Sequence, residues 1–409
     1  GTKMTEEILS VGIDIGTSKV RVLIANFDRD GSPNILGLGS AENSGLKKGV
    51  ITHPENVYRA IDKALAEAER MSGYKTERAA VSVNGAQILS TKVDGMVAVN
   101  SEKGLVGDED IDRVEDVALI GKIPENREIL KFIPYYYNVD NQERIADPFE
   151  MVGTRLEVYG NAISAPRIQV ENVENILERL DISSNLYIPS AVSSARAVLT
   201  ENQKENGVVI VDLGASTTGV VIFEDGNLQF IENIPLGGIN ITNDLAIGLK
   251  VSPEVAEEIK IKHGFAFERE DNSDIVVKHG REHYSFNTQE IDEIIEARVE
   301  EIFEEVRKVL RKSGFENQLP GGIVLTGGGA ALKGIDTFAK KYLQLAVQIS
   351  KNGIDNTVSE KVKTLEYSAA VGLLIEMRDN TSRYNSYRDE EPVRIGFFAK
   401  LFKKNNKVI

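Results

Sequence analysis

The sequence predicts an α/β protein built from two related lobes that face one shared ligand, and three observations lead there. The 409-residue length leaves room for two or three domains, each large enough to bury its own core. A short pattern occurs twice, about 200 residues apart: VGIDIGTSKVRVLI at 11–24 and VIVDLGASTTGVVI at 209–222. A third glycine-rich stretch, IVLTGGGAAL at 323–332, follows another short β-branched run.

Each repeat is a β-branched run, then Asp-aliphatic-Gly with small hydroxylated residues, then a second β-branched run. That pattern predicts strand, tight turn, strand. The repeats align Asp14 with Asp212, Gly16 with Gly214 and Ser18 with Ser216. A single Asp-x-Gly makes only a turn. Two copies in equivalent contexts predict two hairpins converging on one ligand. A glycine turn lets backbone N–H groups approach phosphate oxygens, and hydroxyls add donors. Two aspartates suit a hydrated Mg²⁺, which takes few protein carboxylates. No G-x-x-x-x-G-K-[ST] occurs, so a P-loop is excluded.

In the third stretch a buried strand (Ile323, Val324, Leu325) runs into Thr326 and Gly327, Gly328 and Gly329, before a helix begins. The glycines allow the backbone to lie flat against a planar group such as adenine. Glu257 and Lys260 are three apart on a predicted helix and share a face. By itself that pair reads as a solvated ion pair.

Composition excludes several classes. With no Cys, disulfides and cysteine-ligated metal sites are absent. No apolar run is long enough to span a bilayer, and the beginning of the chain has no signal-peptide pattern. Gly1-Thr2-Lys3 reads as an addition ahead of a start at Met4, and the expected compartment is the cytoplasm. The net charge of −15 argues against nucleic-acid binding. Residues 393–409 hold five basic residues and no acidic one, so the rest carries −20 against the −15 total. A basic tail on an acidic body predicts a separate role for the tail.

In combination and in this order, these elements resemble the actin/Hsp70/sugar-kinase superfamily. The resemblance covers residues 8 to about 378. It implies a two-lobed actin-like ATPase fold, each lobe a mixed sheet flanked by helices, with ATP and Mg²⁺ in the cleft. The first phosphate loop would be 12–19, with Gly16, Thr17, Ser18 and Lys19. The second would be 212–217, with Gly214, Ala215, Ser216 and Thr217. The adenosine loop would be 326–330, and Glu257 and Lys260 would meet the ribose. Gly237 and Gly238 join the implied nucleotide set, and Asp14 and Asp212 would hold the metal through water. Pro189-Ser190-Ala191-Val192 and Tyr367-Ser368-Ala369-Ala370 resemble the openings of the two interlobe helices.

Within that superfamily the chain is similar to the FtsA family of bacterial cell-division proteins. The Gly-Thr-Ser-Lys loop, the segment with Ile133-Pro134-Tyr135-Tyr136-Tyr137, and Ala256-Glu257-Glu258-Ile259-Lys260-Ile261-Lys262-His263-Gly264 carry the likeness. The implied division is subdomain 1A over 1–83 and 165–204, with an inserted subdomain 1C at 84–164. Subdomain 2A covers 205–235 and 301–364, and subdomain 2B covers 236–300. The second interlobe helix covers 365–378. His263 is read as structural, and His279 and His283, separated by Gly280, as part of a loop or hairpin.

One departure bears on chemistry. Relatives such as MreB carry a Glu before the proline of the first interlobe helix, where it positions water; this chain has Ile188. An aliphatic side chain cannot orient or deprotonate water. Firm ATP binding with slow hydrolysis is therefore expected, and no catalytic residue is assigned.

Residues 288–313 predict one long helix, capped by Asn287 or Thr288 and ended by Gly314. After Arg378, residues 379–392 contain no aliphatic residue and are expected to form a disordered linker. Residues 393–409 are expected to form an amphipathic membrane-binding helix. Ile395, Phe398, Leu401 and Phe402 would share one face, with Phe397 at its edge and Lys400, Lys403 and Lys404 around it.

The family resemblance implies a protein that polymerises and binds the C-terminal tail of FtsZ through 2B, and that ties FtsZ to an anionic inner membrane face at the division site. Contacts with later division proteins also follow from it. Two alternatives stay open at this point: a PilM-like pilus-assembly homologue, and a sugar or carboxylate kinase.

Overall fold

The computed structural model of the chain describes residues 9–386. The first repeat forms β1 (Ser10–Ile15) and β2 (Lys19–Phe27), followed by β3 (Pro33–Glu42), a small hairpin β4 (Leu46–Lys47) and β5 (Val50–Ile51), helix α1 (Pro54–Ser72) and β6 (Arg78–Val83). The apolar face of α1, with Val57, Ile61, Ala64 and Ala68 buried, packs on β2 and β3. Gly37 and Gly39 make this possible: a methyl group at Gly39 would lie 1.7 Å from the Ala64 carbonyl oxygen.

The chain then leaves the lobe. Strand β7 (Leu89–Ala98), α2 (Asp108–Ile120), β8 (Arg127–Val139), β9 (Gln142–Ile145) and β10 (Arg155–Pro166) build a separate antiparallel sheet in the order β7-β10-β8-β9. It has its own core, including Val114, Leu119, Leu156 and Val158. The unit also touches the second lobe: Tyr135 Oη donates to Leu228 O at 2.7 Å, and Asn161 Nδ2 donates to Gln229 O at 3.1 Å.

The chain returns through α3 (Arg167–Arg179) and β11 (Ser183–Pro189), then crosses between lobes as α4 (Ser190–Val198) and α5 (Glu201–Asn206). The second lobe opens with the second repeat, β12 (Val208–Leu213) and β13 (Thr218–Glu224), and β14 (Asn227–Ile234). Helices α6 (Gly238–Leu249) and α7 (Pro253–His263) follow, then the hairpin β15 (Asp274–His279) and β16 (Glu282–Asn287). Both His279 and His283 fall in that hairpin, turned at Gly280 with φ +62°.

Helix α8 runs Thr288–Ser313; Asn287 caps it by accepting from Gln289 N, and Gly314 ends it with φ +79°. Strand β17 (Ile323–Thr326), a 3₁₀ turn at Gly328–Ala331, α9 (Ile335–Leu343), β18 (Val347–Ile349) and β19 (Asn356–Thr357) lead to α10 (Ser368–Ser386).

The two lobes repeat one topology. The first sheet is ordered β11-β6-β1-β2-β3-β19 and the second β18-β17-β12-β13-β14. In each, the repeat hairpin and the next strand are antiparallel, and the two strands on its other side are parallel. Helix α4 packs on β12 and β13 of the second lobe, and α10 on β1 and β2 of the first. The two helices meet where a methyl group at Gly372 would come 1.7 Å from Ser193 O, so backbone lies on backbone.

Helix α10 was expected to end near Arg378, and it continues to Ser386. Arg378 donates to Gly31 O and lies over the Phe27 ring, while Asp379 pairs with Arg196. These contacts hold the helix past its last aliphatic residue, and no Gly or Pro stops it before Pro392. The rest of the expected linker and the 393–409 segment, with Ile395, Phe397, Phe398, Lys400, Leu401, Phe402, Lys403 and Lys404, lie outside the described residues.

Candidate functional site

Both repeat hairpins close with the same bond: Gly16 N donates to Lys19 O at 2.9 Å, and Gly214 N to Thr217 O at 2.9 Å. Close approach requires glycine here, because a methyl group would sit 2.7 Å and 2.8 Å from those oxygens. The tips meet across the gap between lobes, with the Thr17 hydroxyl hydrogen-bonded to the Ser216 hydroxyl.

Asp14 and Asp212 are the next-to-last residues of the first strands of the two hairpins. Ser82 Oγ donates to Asp14 Oδ1 at 2.9 Å and accepts from Ile15 N at 2.8 Å. Ser194 Oγ, from α4, donates to Asp212 Oδ2 at 2.8 Å. Burial pushes the Asp14 carboxyl above the usual range, against the pull of the Arg21 guanidinium and the serine hydrogen bonds. Burial likewise pushes Asp212 up to about 6; Ser194 opposes this and the nearby Asp14 charge adds to it. Two crowded carboxylates with one oxygen each held by a serine fit a cation that keeps much of its water. Among the described residues no group of three or more His, Asp or Glu forms a metal cage, so such a cation would need ligand oxygens as well.

The glycine loop after β17 closes against Asp212. Gly327 has φ +86°, and a methyl group there would lie 2.3 Å from Asp212 Oδ1. On the opposite wall Lys260 Nζ lies 2.9 Å from Glu257 Oε2 and donates to Gly238 O at 3.1 Å, while the Thr242 hydroxyl donates to Glu257. These groups surround a cleft of about 1430 Å³.

Asp14, Gly16, Thr17, Ser18 and Lys19 line the cleft from the first lobe. Asp212, Gly214, Ala215, Ser216, Thr217, Gly238, Glu257, Lys260, Gly327, Gly328 and Gly329 line it from the second. Gly237 is the exception and lies behind the second hairpin, where a methyl group would be 2.5 Å from Gly214 O. The N–H groups of Gly238 and Ile239 are already used by Gly214 O and Ala215 O. Gly237 therefore positions the hairpin from behind, while Gly238 lines the cleft and ties its N–H to the hairpin.

Sequence reasoning missed several lining residues: Arg21, Asn43, Asn84, Ser190, Lys333, Lys351 and Glu366. Arg21 was within reach of it, since a turn closed between Gly16 and Lys19 puts Arg21 opposite Asp14 in register. Its Nη1 is 4.0 Å from Asp14 Oδ2, and its Nη2 is 3.2 Å from Glu366 Oε2. The others arrive from distant segments and left no local signal. Ile188 is buried in the first lobe's core beside the Ser82 strand.

Comparison with known proteins identifies the relatives of this chain. A family model described as "Cell division protein FtsA" matches residues 209–372, and one described as "SHS2 domain inserted in FTSA" matches residues 85–164. The cell division protein FtsA of Bacillus subtilis (strain 168) is 37% identical over 375 residues, covering 91% of this chain and 84% of the relative. The FtsA protein of Pseudomonas aeruginosa is 33% identical, covering 93% and 94%. That of Escherichia coli (strain K12) is 30% identical, covering 91% of each.

Among solved structures, the PilM-PilN type IV pilus biogenesis complex matches with TM-score 0.64 at 16% identity, over 90% of this chain and 98% of that one. MreB5 of Spiroplasma citri bound to ADP matches with TM-score 0.56 at 14% identity, over 94% and 100%. At such identities these likenesses show the fold alone, which is actin-like. Among the described residues no helix is long and apolar enough to cross a membrane. With sequence relatives at 30–37% identity spanning more than nine-tenths of its length, the chain belongs to the FtsA family of cell division proteins.

Proposed function

We propose that the cleft binds ATP with Mg²⁺ and that the chain works as a polymerising adaptor of the division machinery, linking FtsZ filaments to the inner membrane face. The observation that carries the nucleotide reading is the meeting of two topologically equivalent Asp-Gly hairpins, with Thr17 and Ser216 in contact, Asp14 buried and Asp212 half-buried behind them. Hairpin hydroxyls and Lys19 would hold the phosphates, and Asp14 and Asp212 would hold hydrated Mg²⁺. Gly327, Gly328 and Gly329 would take the base, and Glu257 with Lys260 the ribose. A structural neighbour, MreB5, was solved with ADP, which supports the same use of the cleft here.

In this reading the unit at 84–164 is subdomain 1C, offered to later division proteins. Residues 236–300 form 2B, which takes the FtsZ C-terminal tail. The 393–409 segment is the membrane anchor. Membership of the FtsA family supports the division role, and the Phe/Lys pattern of the tail supports the anchor.

The test is binding of the full chain to the FtsZ C-terminal peptide, with and without Mg-ATP, alongside co-sedimentation with anionic liposomes. Peptide binding, and liposome binding that disappears in a 1–392 truncation, are expected. No peptide binding, or equal liposome binding by both forms, would overturn the adaptor reading. Turnover is expected to be slow; a rate like that of a metabolic kinase with Mg-ATP alone would favour an enzyme instead.

A further inference from the structure

Hydrolysis of a phosphoanhydride needs a water held in line with the terminal phosphorus, and Ile188, buried in the first lobe, cannot hold one. Asn84 is the polar residue best placed to do so. It follows β6 directly and lines the cleft. Its Nδ2 donates to Ser190 Oγ at 2.8 Å, and Ser190 lines the same cleft as Asp14. That bond uses one of the amide's two N–H donors and orients the group. Among the described residues nothing donates to Asn84 Oδ1, which leaves one acceptor beside the metal-binding aspartate.

The position is at the phosphate end of the cleft. A methyl group on Gly49 would come 2.9 Å from Asn84 Cβ and 3.1 Å from the Thr217 methyl, so Asn84 sits where the second hairpin tip arrives. Glu257 and Lys260, on α7, belong to the other lobe's wall. Next to Asn84 is a small cavity of about 30 Å³, which Ser82, Gln169 and Asn172 also line. Gln169 Oε1 is buried there without a partner. Its remaining side chains, Ile15, Leu46, Val50, Ile51, Val83 and Val173, are apolar, so Gln169 and Asn84 are the groups that would hold a single water there.

We propose that Asn84 Oδ1 accepts a hydrogen bond from the water that attacks the terminal phosphorus of the bound nucleotide, taking the orienting role that Ile188 leaves empty. This rests on the nucleotide reading above. In the step, the water oxygen forms a bond to the terminal phosphorus. The bond from that phosphorus to the bridging oxygen breaks, and its electron pair stays with the nucleoside diphosphate. The water proton passes to a phosphate oxygen and then to solvent, because a neutral amide cannot take it. Asn84 thus orients the water without acting as a base, which fits the slow turnover expected above.

The experiment measures fluorescent-ATP binding and single-turnover phosphate release for the full chain and its Asn84→Ala and Asn84→Asp variants. N84A is expected to bind within about twofold of the parent and to release phosphate about tenfold more slowly or worse. N84D keeps an acceptor at the same atom and can accept from Ser190. It is expected to match or exceed the parent, with a rate that rises as its carboxylate ionises. An unchanged rate in N84A overturns the proposal, as does an N84D as slow as N84A. Loss of binding in N84A makes Asn84 a structural or ligand contact and overturns it too. Parent protein that binds ATP but releases no phosphate overturns the water role and leaves the nucleotide reading standing. Parent protein that fails to bind removes that reading itself.

Discussion

The two hairpins share a turn bond, a register and a fold position, yet their aspartates sit in different company. Asp14 pairs across its hairpin with Arg21; Asp212 pairs with Gly219. A methyl group at Gly219 would lie 2.5 Å from the Ala191 Cβ, so helix α4 occupies the space that a side chain takes in the first lobe. Where the first repeat has a cation, the second has helix α4. Burial pushes both carboxyls up, Asp212 to about 6; Asp14 has the guanidinium directly beside it, whereas Asp212 has the Ser194 hydroxyl on one oxygen and feels Arg21 from farther off. A repeated scaffold thus keeps its backbone geometry while its electrostatics diverge.

The most drastic break is Gly219→Arg, which gives the second hairpin the residue of the first. Overpacking against α4 is expected to cost more than about 3 kcal/mol, read by thermal denaturation. A midpoint within about 2 °C of the parent would mean that α4 does not set the asymmetry.

Next in size is Asp212→Asn. A carboxyl whose folded pKa lies near 6, above its unfolded value, adds stability that is full below the unfolded value and lost as pH rises through 6. The parent therefore carries the whole burden of a buried charge above pH 6. D212N, whose amide oxygen can still accept from Ser194, is expected to gain about 1–3 kcal/mol at pH 8 without ligand and little near pH 4. Its midpoint shift with Mg-ATP should be lost. Equal stability at both pH values would show that Asp212 is not desolvated.

Arg21→Met sharpens the comparison by making the first aspartate resemble the second. With the cation removed, the Asp14 carboxyl moves further up, and the ligand-free protein is expected to lose about 1 kcal/mol at pH 8, read by urea denaturation. An R21M profile that matches the parent from pH 4 to 8 would show that Arg21 serves Glu366 and not Asp14.

The smallest effect belongs to the contact the hairpins share. Thr17→Ala and Ser216→Ala are each expected to cost about 0.5–1 kcal/mol, with the double variant losing no more than either alone. Strict additivity would show that the tips do not touch in solution.

What could be read from sequence follows from how local the signals are. The hairpins are local: β-branched runs around Asp-x-Gly specify strand, turn and strand. Helix α8 is local as well, since Asn287, the periodic apolar residues and Gly314 lie on it or at its ends. Ser82, Asn84, Ser190, Ser194 and Glu366 support the aspartates or line the same cleft from distant segments, and a serine opening a helix looks like an ordinary cap. The run of α10 past Arg378 depends on Gly31, Phe27 and Arg196, so no window around 379–386 could reveal it. The position of Gly237 is equally non-local: its close neighbour is the Gly214 carbonyl of the second hairpin, 23 residues back in sequence.

The contact between Gly372 and Ser193 has a mechanical meaning. Two helices pressed backbone to backbone, with no side chain between them, cannot slide without collision, but they can rotate about the point of contact. That point is a fulcrum, and α10 is the arm. From Gly372 to Ser386 the arm is about 21 Å long, at the usual rise per residue. A rotation of about 5° between lobes would carry its far end about 2 Å, by the same geometry. A rotation that closes the cleft would carry the end of α10 with it and would work against the Arg196 pairs to Glu376 and Asp379, which tie the two helices together beyond that point.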